Sequence, residues 1–332
     1  MEPLRIGTLG AARITPPALV RPAAHRSDAV VVAVAARDRA RAERFAARHG
    51  IPAVHDSYQA LLDDPTVEAV YNPLPNGLHG RWTIAALEAG KHVLCEKPFT
   101  ANAEEAEAVA GVADRTGLVV MEAFHYRYHP LARRVREILD SGVIGPIKRV
   151  ETQMVIPLPV PGDIRWNLAL AGGSTMDMGC YAVHQLRMMA GAEPTVLSAT
   201  AKLLSPGIDR WMQAEMAFPD GATGSIETGM LAGRVPVLAA RVMGADGVLK
   251  VTNMTAPQFF HRLTIVTPQR TARERIRGEH TYWYQLGAFV AAVREGAPTL
   301  TPPEDSIANM RVIDAIYVAA GLAPRQPTPV AV

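Results

Sequence analysis

The first 124 residues alternate between short apolar segments and longer amphipathic ones, and this alternation limits the folds open to the chain. The segments typical of buried strands are residues 4–9, 30–36, 67–71, 92–95 and 118–121. Helical patterns lie between them, over residues 15–24, 39–49, 56–62, 78–89 and 103–116. Because no hairpin signal separates the strands, the pattern predicts a parallel sheet with helices on both faces. The expected fold of residues 1–124 is a Rossmann-type, doubly wound α/β domain, with Thr15 as the cap of its first helix.

The pattern changes after residue 124, where longer segments alternate between apolar and polar residues. Two segments show this most clearly, with the apolar sets Val150, Thr152, Met154, Ile156 and Met212, Ala214, Met216, Phe218. Such alternation is typical of antiparallel sheets with one face on the core and one toward water. Helical patterns over residues 131–141, 282–295 and 304–321 complete the chain. We predict a second, α+β domain over residues 125–332, with an open, mostly antiparallel sheet.

Composition excludes several classes of protein. A net charge of +2, from 34 basic and 32 acidic residues, is too balanced for a nucleic-acid or membrane surface, so we predict neither partner. Two cysteines, Cys95 and Cys180, are too few for a disulfide framework or a multi-cysteine zinc site, and we predict no metal. No apolar run approaches the roughly 18 residues of a membrane span, and no signal-peptide pattern opens the chain. We therefore expect a cytoplasmic protein.

The turn after the first strand is a candidate for binding a dinucleotide. Its residues are Gly10, Ala11, Ala12, Arg13 and Ile14, and a pyrophosphate there would meet the N–H groups at the start of a helix. The segment departs from the Gly-x-Gly-x-x-Gly fingerprint, since alanine stands at the second glycine and threonine at the third. A glycine at a tight turn also has a purely structural use. The position after the first strand favours the binding interpretation.

The end of the second strand bears on the choice between NAD(H) and NADP(H). Sheets that bind NAD usually place an acidic residue there for the ribose 2′-hydroxyl. Here the strand ends in Arg37, the first acid is Asp38 one residue later, and Arg41 follows one helical turn beyond Arg37. Two guanidinium groups suit a 2′-phosphate. The alternative is the solvated start of a helix, and we favour NADP(H).

The segment GGSTMDMGCYAVHQLR, residues 172–187, is a candidate catalytic helix. Asp177, Tyr181 and His184 stand at i, i+4 and i+7 and so share one helical face. A tyrosine with an ordinary pKa of about 10 needs a nearby cation to exchange protons near neutrality. Lys97, in the segment HVLCEKPFT, is the candidate cation. Two structural alternatives stay open: Asp177 caps the helix while Tyr181 packs at an interface, and Glu96-Lys97-Pro98 forms a surface turn.

Several separated segments resemble the Gfo/Idh/MocA oxidoreductases. They are the GAARI turn, NPLPNGLH at 72–79, CEKPF at 95–99, EAFHYRYHP at 122–130, DIRWN at 163–167 and GGSTMDMGCYAVH at 172–184. The resemblance covers most of the chain in the family's order. It is greatest to the branch that contains dimeric dihydrodiol dehydrogenase, NADP-dependent D-xylose dehydrogenase and glucose-fructose oxidoreductase. That branch has a tyrosine where inositol dehydrogenases have a histidine, and this chain has Tyr181.

The resemblance implies a role for each matching residue. Toward the cofactor it implies Pro73, Leu74, Asn76 and His79 in the nucleotide loop, Glu96 beside the ribose, and Arg165 and Trp166 reaching across from the second domain. Toward the substrate it implies Lys97 as the catalytic lysine, Tyr181 as general acid/base, Asp177 as an orienting group and His184 as a support. His125 and Arg127 lie where relatives approach the nicotinamide. The Lys97–Pro98 bond is often cis in this family, which directs the lysine into the cleft.

Together these patterns and the resemblance predict an NADP(H)-dependent oxidoreductase acting on a sugar, a keto-sugar or a cyclic polyol. Hydride would pass between the nicotinamide and the carbinol carbon while Tyr181 exchanges the hydroxyl proton and Lys97 lowers the tyrosine pKa. Two alternatives stay open: a redox-neutral, dinucleotide-dependent glycosidase, and a non-catalytic regulator that senses a dinucleotide or a sugar. The wetter face of the second sheet carries Trp211 and predicts a homodimer or homotetramer.

Overall fold

The computed structural model describes residues 2–158, 160, 162–231, 233 and 235–329. The strands are β1 Leu4–Leu9, β2 Ala29–Ala35, β3 Ala53–His55, β4 Ala69–Asn72, β5 His92–Cys95, β6 Val120–Glu122, β7 Ile147–Val155, β8 Thr195–Ser205, β9 Ile208–Ala217, β10 Thr223–Gly229, β11 Val237–Gly244, β12 Val248–Thr252, β13 Arg262–Val266 and β14 Thr271–Glu274. The helices are α1 Arg21–Ala24, α2 Arg39–His49, α3 Tyr58–Leu62, α4 His79–Glu88, α5 Ala103–Thr116, α6 Pro130–Asp140, α7 Cys180–Ala190, α8 Thr281–Glu295 and α9 Pro303–Ala319. Among these described helices, none combines the length and apolarity that crossing a membrane requires.

The first sheet confirms the predicted Rossmann-type arrangement. Its order within the described residues is β3-β2-β1-β4-β5-β6, and the pairs all run parallel. The chain begins at β1, moves outward to β3, and returns to start again at β4, so the strand order reverses between β1 and β4. In open α/β sheets ligands bind beyond the carboxyl ends of the strands at this reversal. The candidate residues at the ends of β1, β2, β4 and β5 therefore share one edge of the sheet.

The second sheet is mostly antiparallel, as predicted. Its order over the described residues is β14-β13-β12-β11-β7-β10-β9-β8, and the pairing of β7 with β10 is parallel. The predicted alternation along β9 is present, since Met212, Ala214 and Met216 are all buried while Gln213 is exposed. The apolar face of this sheet packs under α7, where the Thr152 hydroxyl donates to a backbone carbonyl of the helix.

Local sequence explains why the helices of the first domain begin and end where they do. Asp38 and Asn102 accept backbone N–H groups in the first turns of α2 and α5, which satisfies donors that have no partner inside the helix. Gly50 and Gly117 end the same helices with φ of 67° and 66°, a conformation that favours glycine. Both helices have the predicted bounds.

The first crossover differs from the prediction. Residues 15–24 were expected to form one α-helix capped by Thr15, but a π-helical turn, Pro16–Val20, precedes the short helix α1. Thr15 itself has helical φ and ψ of −55° and −43°, and its side chain makes no capping bond. Pro16 and Pro17 have no N–H to donate to a cap, and the Ala18 N–H donates to the Ile14 carbonyl, so the predicted role for Thr15 is wrong. The wide turn is closed instead by the Arg21 N–H, which donates to the Pro16 carbonyl.

Helix α8 returns from the second part of the chain to the first sheet. Its Leu286, Phe289 and Val290 are buried in the same apolar core as Leu4 and Ile6 of β1. Residues close to the C-terminus therefore cover one face of the first sheet, in the place where a Rossmann fold needs a helix. The domain boundary between residues 124 and 125 stays a prediction.

The segment after α9 links the two parts of the chain. The Arg325 guanidinium donates to Asp209 Oδ1 and to the Gly172 carbonyl, both at 2.7 Å. The Asn102 side chain at the start of α5 donates to the Arg325 carbonyl at 2.8 Å. Arg325 and Asp209 are both buried, so this ion pair is protected from water. It lies directly behind the glycine pair that opens the candidate catalytic segment.

Candidate active site

Lys97 lies at the carboxyl end of β5, where the resemblance placed a catalytic lysine. Its bond to Pro98 is cis, as the resemblance implied. The Lys97 Nζ donates to the backbone carbonyl of Asp177 at 2.9 Å and to Asp177 Oδ1 at 3.1 Å. The lysine side chain is only 13% exposed. The interpretation of Glu96-Lys97-Pro98 as a surface turn is therefore wrong.

Asp177 is held between two cations. On the side away from Lys97, Arg165 Nε donates to Asp177 Oδ2 at 2.9 Å, and Arg165 Nη1 lies 3.1 Å from Asp163. Burial would raise the pKa of Asp177, but Lys97 and Arg165 outweigh it and hold that pKa below its ordinary value. Burial would likewise lower the pKa of Lys97, and the Asp177 carboxylate instead raises it. An ammonium therefore faces a carboxylate near neutral pH.

Tyr181 lies in the first turn of α7 with its ring against the lysine. The Lys97 Nζ is 4.9 Å from the ring centroid, while the Tyr181 hydroxyl meets His125 Nε2 at 3.1 Å. Burial raises the pKa of Tyr181 well above its ordinary value. The Lys97 ammonium pairs with Asp177 and not with the phenol oxygen, so a lowering of the Tyr181 pKa by Lys97 stays a prediction. We call Lys97, Asp177 and Tyr181 the candidate triad.

The alternative interpretation of Asp177 as a helix cap is also wrong. Asp177 lies inside a π-helical turn, Thr175–Gly179, that leads directly into α7. Its carboxylate is occupied by Lys97 and Arg165 and bonds to no N–H group of the turn. The wide turn places Asp177 and Tyr181 so that both side chains reach Lys97.

Glu96 is buried next to Lys97, and its carboxylate accepts two hydrogen bonds from within the protein. The Tyr71 hydroxyl donates to Glu96 Oε1 at 2.7 Å, and the Lys97 amide donates to Oε2 at 3.3 Å. Burial raises the pKa of Glu96 above its ordinary value. Both carboxyl oxygens therefore have donors within the protein, and a contact with a cofactor ribose stays a prediction.

The predicted nucleotide loop follows β4, and the buried ring of His79 holds it in place. The His79 ring nitrogens lie 2.6 Å from the Leu74 carbonyl and 2.7 Å from the Pro98 carbonyl. Burial lowers the pKa of His79 to about 4, so the neutral ring donates to one of these carbonyls at a time. The Asn76 amide donates to the Ala171 carbonyl of the second domain at 3.1 Å. His79 is only 1% exposed and so supports the loop from inside.

Two predicted substrate residues lie away from the candidate triad. His184 is directed into the protein, where Nδ1 meets the Tyr126 hydroxyl at 2.6 Å and Nε2 meets Asp305 at 2.9 Å. It is 2% exposed, which fits a support and not a substrate contact. Arg127 lines a separate cavity of about 260 Å³ beside Arg187 and Asp305. The lining of that cavity includes no member of the triad, and a contact of Arg127 with the nicotinamide or the substrate stays a prediction.

The turn after β1 has the shape that a dinucleotide site needs. Gly10 has φ of 100°, a conformation that side chains disfavour. Arg41 reaches back from α2 and donates to the Ala11 carbonyl at 2.7 Å, which fixes the turn against that helix. Of the other predicted cofactor residues, Ala12, Ile14 and Trp166 are half-buried, Arg13 is exposed and Pro73 is buried.

The cations near β2 fit a phosphate better than a hydroxyl group. The side chains of Arg13 and Arg37 are exposed, and neither forms an ion pair with any residue that the structure describes. Asp38 Oδ1 already accepts the Arg41 N–H at 3.1 Å, as the cap of α2. Asp38, the acid that could bind a ribose 2′-hydroxyl, therefore already caps α2, while the Arg37 guanidinium beside it forms no ion pair within the described residues. These residues fit a dinucleotide that carries a 2′-phosphate.

Comparison with known proteins agrees with this geometry. Residues 4–124 match the Gfo/Idh/MocA oxidoreductase family with its NAD-binding Rossmann fold, and residues 132–250 match the family's C-terminal domain. The D-xylose 1-dehydrogenase (NADP(+)) 2 of Haloferax volcanii is 38% identical over 320 residues, which are 96% of this chain and 97% of that protein. The chain belongs to the Gfo/Idh/MocA oxidoreductase family.

Other members of the Gfo/Idh/MocA family are similar in sequence or structure. The mouse trans-1,2-dihydrobenzene-1,2-diol dehydrogenase is 36% identical over 233 residues, 70% of this chain and 69% of that enzyme. A 3-ketoreductase from Actinomadura kijaniata, solved with NADP and TDP-benzene, superposes with a TM-score of 0.89 at 30% identity, covering 96% of this chain and 98% of the other. These relatives are named as dehydrogenases or reductases, and the chain is an oxidoreductase by family.

Sequence reasoning missed part of the site of this family member. The Thr281 hydroxyl, at the start of α8, lies 2.8 Å from His125 Nδ1. Thr281 therefore contacts the residue whose other ring nitrogen meets Tyr181. Thr281 and His125 are 156 positions apart, and no spacing or motif links them. Asp163, which holds Arg165 against Asp177, was also missed. The only signal for Asp163 was its place in the DIRWN segment.

Proposed function

We propose that the chain is an NADP(H)-dependent oxidoreductase of a sugar, keto-sugar or cyclic polyol, with Tyr181 as general acid/base and Lys97 as its partner. The observation that carries the proposal is the meeting of Lys97, from the first sheet, with Asp177 and Tyr181 of the second domain. This meeting lies at the carboxyl edge of the parallel sheet, where a dinucleotide binds. The relatives named for D-xylose and for NADP support the choice of substrate class and cofactor.

The residues of the site divide the chemistry between them. NADP(H), when bound, supplies or accepts the hydride. Because the pKa of Tyr181 is raised, this residue is a neutral phenol that can donate its proton to a carbonyl oxygen during reduction. In oxidation Tyr181 takes the proton back from the substrate hydroxyl. The Lys97 ammonium stabilises negative charge on the same oxygen, and Asp177 with Arg165 fixes the direction of the lysine.

A substrate panel tests the proposed function. D-xylose, other aldoses, keto-sugars, inositols and dihydrodiols are each incubated with NADP⁺ or NADPH, and the NADPH absorbance is followed. We expect a net change in NADPH with at least one of these classes. Conversion of a glycoside without a net change in NADPH would favour the redox-neutral glycosidase. Binding of sugar and dinucleotide without any conversion would favour the regulator.

The Arg37→Asp variant is expected to reverse the cofactor preference. It removes a charge-assisted contact to the 2′-phosphate and places a carboxylate where a ribose hydroxyl can be bound. Loss of one such contact corresponds to roughly a ten- to hundredfold weaker affinity for NADP⁺, and repulsion between like charges adds to it. The measurement is kcat/KM for NADP⁺ and for NAD⁺ with the same sugar.

The Arg48→Asp variant is the matched control for cofactor preference. Arg48 is also an exposed arginine of α2, but it lies in the last turn of the helix, at the end away from the nucleotide turn. The control changes the net charge equally, so a general electrostatic effect would appear in both variants. An unchanged ratio of NADP⁺ to NAD⁺ activity in Arg37→Asp would show that Arg37 does not bind the phosphate.

We also propose a homodimer or homotetramer that assembles through the second sheet. The edge strand β8 carries Leu197, Leu203 and Leu204 with exposed fractions of 62%, 43% and 47%. Exposed apolar groups on a sheet of this size are typical of a surface that another protein covers. Light scattering at micromolar concentration is expected to give the mass of two or four chains. The mass of a single chain would contradict this proposal.

A further inference from the structure

A row of three side chains continues inward from the Tyr181 hydroxyl. His125 Nε2 lies 3.1 Å from the Tyr181 oxygen, and His125 Nδ1 lies 2.8 Å from Thr281 Oγ1. His125 belongs to the short helical turn after β6, and Thr281 is the first residue of α8. His125 is 4% exposed and Thr281 is fully buried, so water does not compete for these contacts. The arrangement gives each ring nitrogen its own partner.

The tautomer of His125 decides what it does for the tyrosine. Burial lowers the pKa of His125 to about 3, so the ring is neutral and carries one N–H. When the Thr281 hydroxyl donates to Nδ1, the proton of the ring is on Nε2, which donates to the Tyr181 oxygen. When Nδ1 carries the proton, Nε2 can only accept from a protonated tyrosine. The first tautomer favours the phenolate, and the second favours the phenol.

We propose that His125, oriented by Thr281, is a positioning residue that donates an N–H to the Tyr181 oxygen and stabilises its phenolate form. The inference rests on the proposed function, in which the Tyr181 proton moves to and from the substrate oxygen. The O–H bond of the tyrosine breaks as the O–H bond of the product alcohol forms. The proton on His125 Nε2 stays in place throughout, so the step needs no additional acid or base. His125, predicted as a substrate residue, then acts through the tyrosine.

Other groups also face this pair and influence its titration. They are Glu96 and Lys97 at the end of β5, Asp177 in the π-helical turn before α7, Cys180 at the start of α7, and His280 and Tyr282 at the start of α8. The nearest ring is that of Tyr282, whose centroid lies 4.1 Å from that of His125. A change confined to the Thr281 hydroxyl leaves all six of these groups in the chain. A shift in titration would therefore report the loss of that hydroxyl.

The Thr281→Val variant tests the inference, with Thr281→Ser as the matched control. Valine keeps the shape of threonine but cannot donate to Nδ1, whereas serine keeps the hydroxyl. The measurement is the pH dependence of kcat/KM for oxidation, with NADP⁺ and the fastest sugar of the panel. Because oxidation needs the phenolate, the rate rises with pH through the pKa that Tyr181 has with NADP⁺ bound. Without the N–H donor that pKa increases, so we expect the midpoint of the rise to move upward by about one pH unit.

The Thr281→Ser variant keeps the hydroxyl, so the midpoint of its pH profile is expected to lie close to that of the wild type. The His125→Phe variant, which removes the donor itself, should move it at least as far as Thr281→Val does. An unchanged midpoint in both Thr281→Val and His125→Phe would overturn the inference, as would a lower rate with no shift. A Tyr181→Phe variant separates the two proposals: if it is inactive while Thr281→Val leaves the midpoint unchanged, only the role of His125 fails. If Tyr181→Phe is fully active, the proposed role of the tyrosine fails.

Discussion

Tyr181→Phe is expected to lower turnover about a hundredfold or more while NADP⁺ still binds, which is the usual scale of general acid–base catalysis. Phenylalanine keeps the ring that packs against Lys97 and loses only the hydroxyl that we propose exchanges the proton. Lys97→Met should have an effect of the same size, because in the proposed mechanism the substrate oxygen then loses the ammonium that stabilises its negative charge. The measurements are kcat for NADPH formation and the affinity for NADP⁺ by titration calorimetry.

The Lys148→Met variant is a matched control for the lysine. Lys148 is exposed on β7, so its replacement removes the same charge without touching the triad. Removing Lys97 also leaves the buried Asp177 with Arg165 as its remaining cation, and thermal unfolding should therefore be measured beside the kinetics. Full activity in a folded Lys97→Met or Tyr181→Phe variant would remove that residue from the mechanism.

The second large effect is expected from Arg325→Ala, which should destabilise the folded protein by about 3–5 kcal/mol. The change leaves Asp209 buried without its cation, although Thr175 and Tyr317 still donate to that carboxylate. It also removes the bond from Arg325 to the Gly172 carbonyl at the start of the candidate catalytic segment. The measurement is the change in the free energy of unfolding by urea.

The Arg311→Ala variant provides the comparison. Arg311 on α9 pairs with Glu107 at 2.7 Å, but its side chain is 65% exposed. We therefore expect Arg311→Ala to lower the free energy of unfolding by roughly 0–1 kcal/mol. An equal loss of unfolding free energy in both variants would show that burial does not strengthen the pair of Arg325 and Asp209.

A pH series adds a second check on Arg325→Ala. Burial raises the pKa of Asp209 above its ordinary value even with Arg325 present, and removing the arginine raises it further. A carboxyl group whose pKa is raised by folding costs stability at high pH, and this cost falls as the pH drops and the group is protonated. The difference in stability between Arg325→Ala and wild type should therefore narrow toward acid pH. A difference that is constant with pH would contradict this electrostatic explanation.

Much of the fold follows from local patterns in the sequence. The apolar strand at His92–Cys95 and the helices α2 and α5 have the predicted bounds, because caps and glycines mark their ends. The predicted α-helix at 15–24 failed where adjacent prolines removed two N–H groups and a wider turn formed. The return of α8 to the first sheet was not predicted, since an amphipathic pattern does not say which core a helix will cover.

Which residues belong to the candidate site could be predicted better than which contacts they make with one another. Motifs placed Lys97 and Tyr181 in one cleft, and the structure brings them together with Asp177 between Lys97 and Arg165. Helical spacing also joined His184 to this group, but the Tyr126 hydroxyl and Asp305 direct its ring inward. Such pairings join residues far apart in sequence, so they depend on tertiary packing that a periodic pattern does not encode.

Transfer of deuterium from substrate to cofactor tests the central claim most directly. The fastest sugar of the panel, labelled with deuterium at its reacting carbon, is incubated with NADP⁺, and the reduced cofactor is analysed by mass spectrometry. The proposed function predicts that the label accumulates in NADPH with the wild-type protein and about a hundredfold more slowly with Tyr181→Phe. Conversion of the sugar without labelled NADPH, or equal labelling by the two proteins, would contradict it.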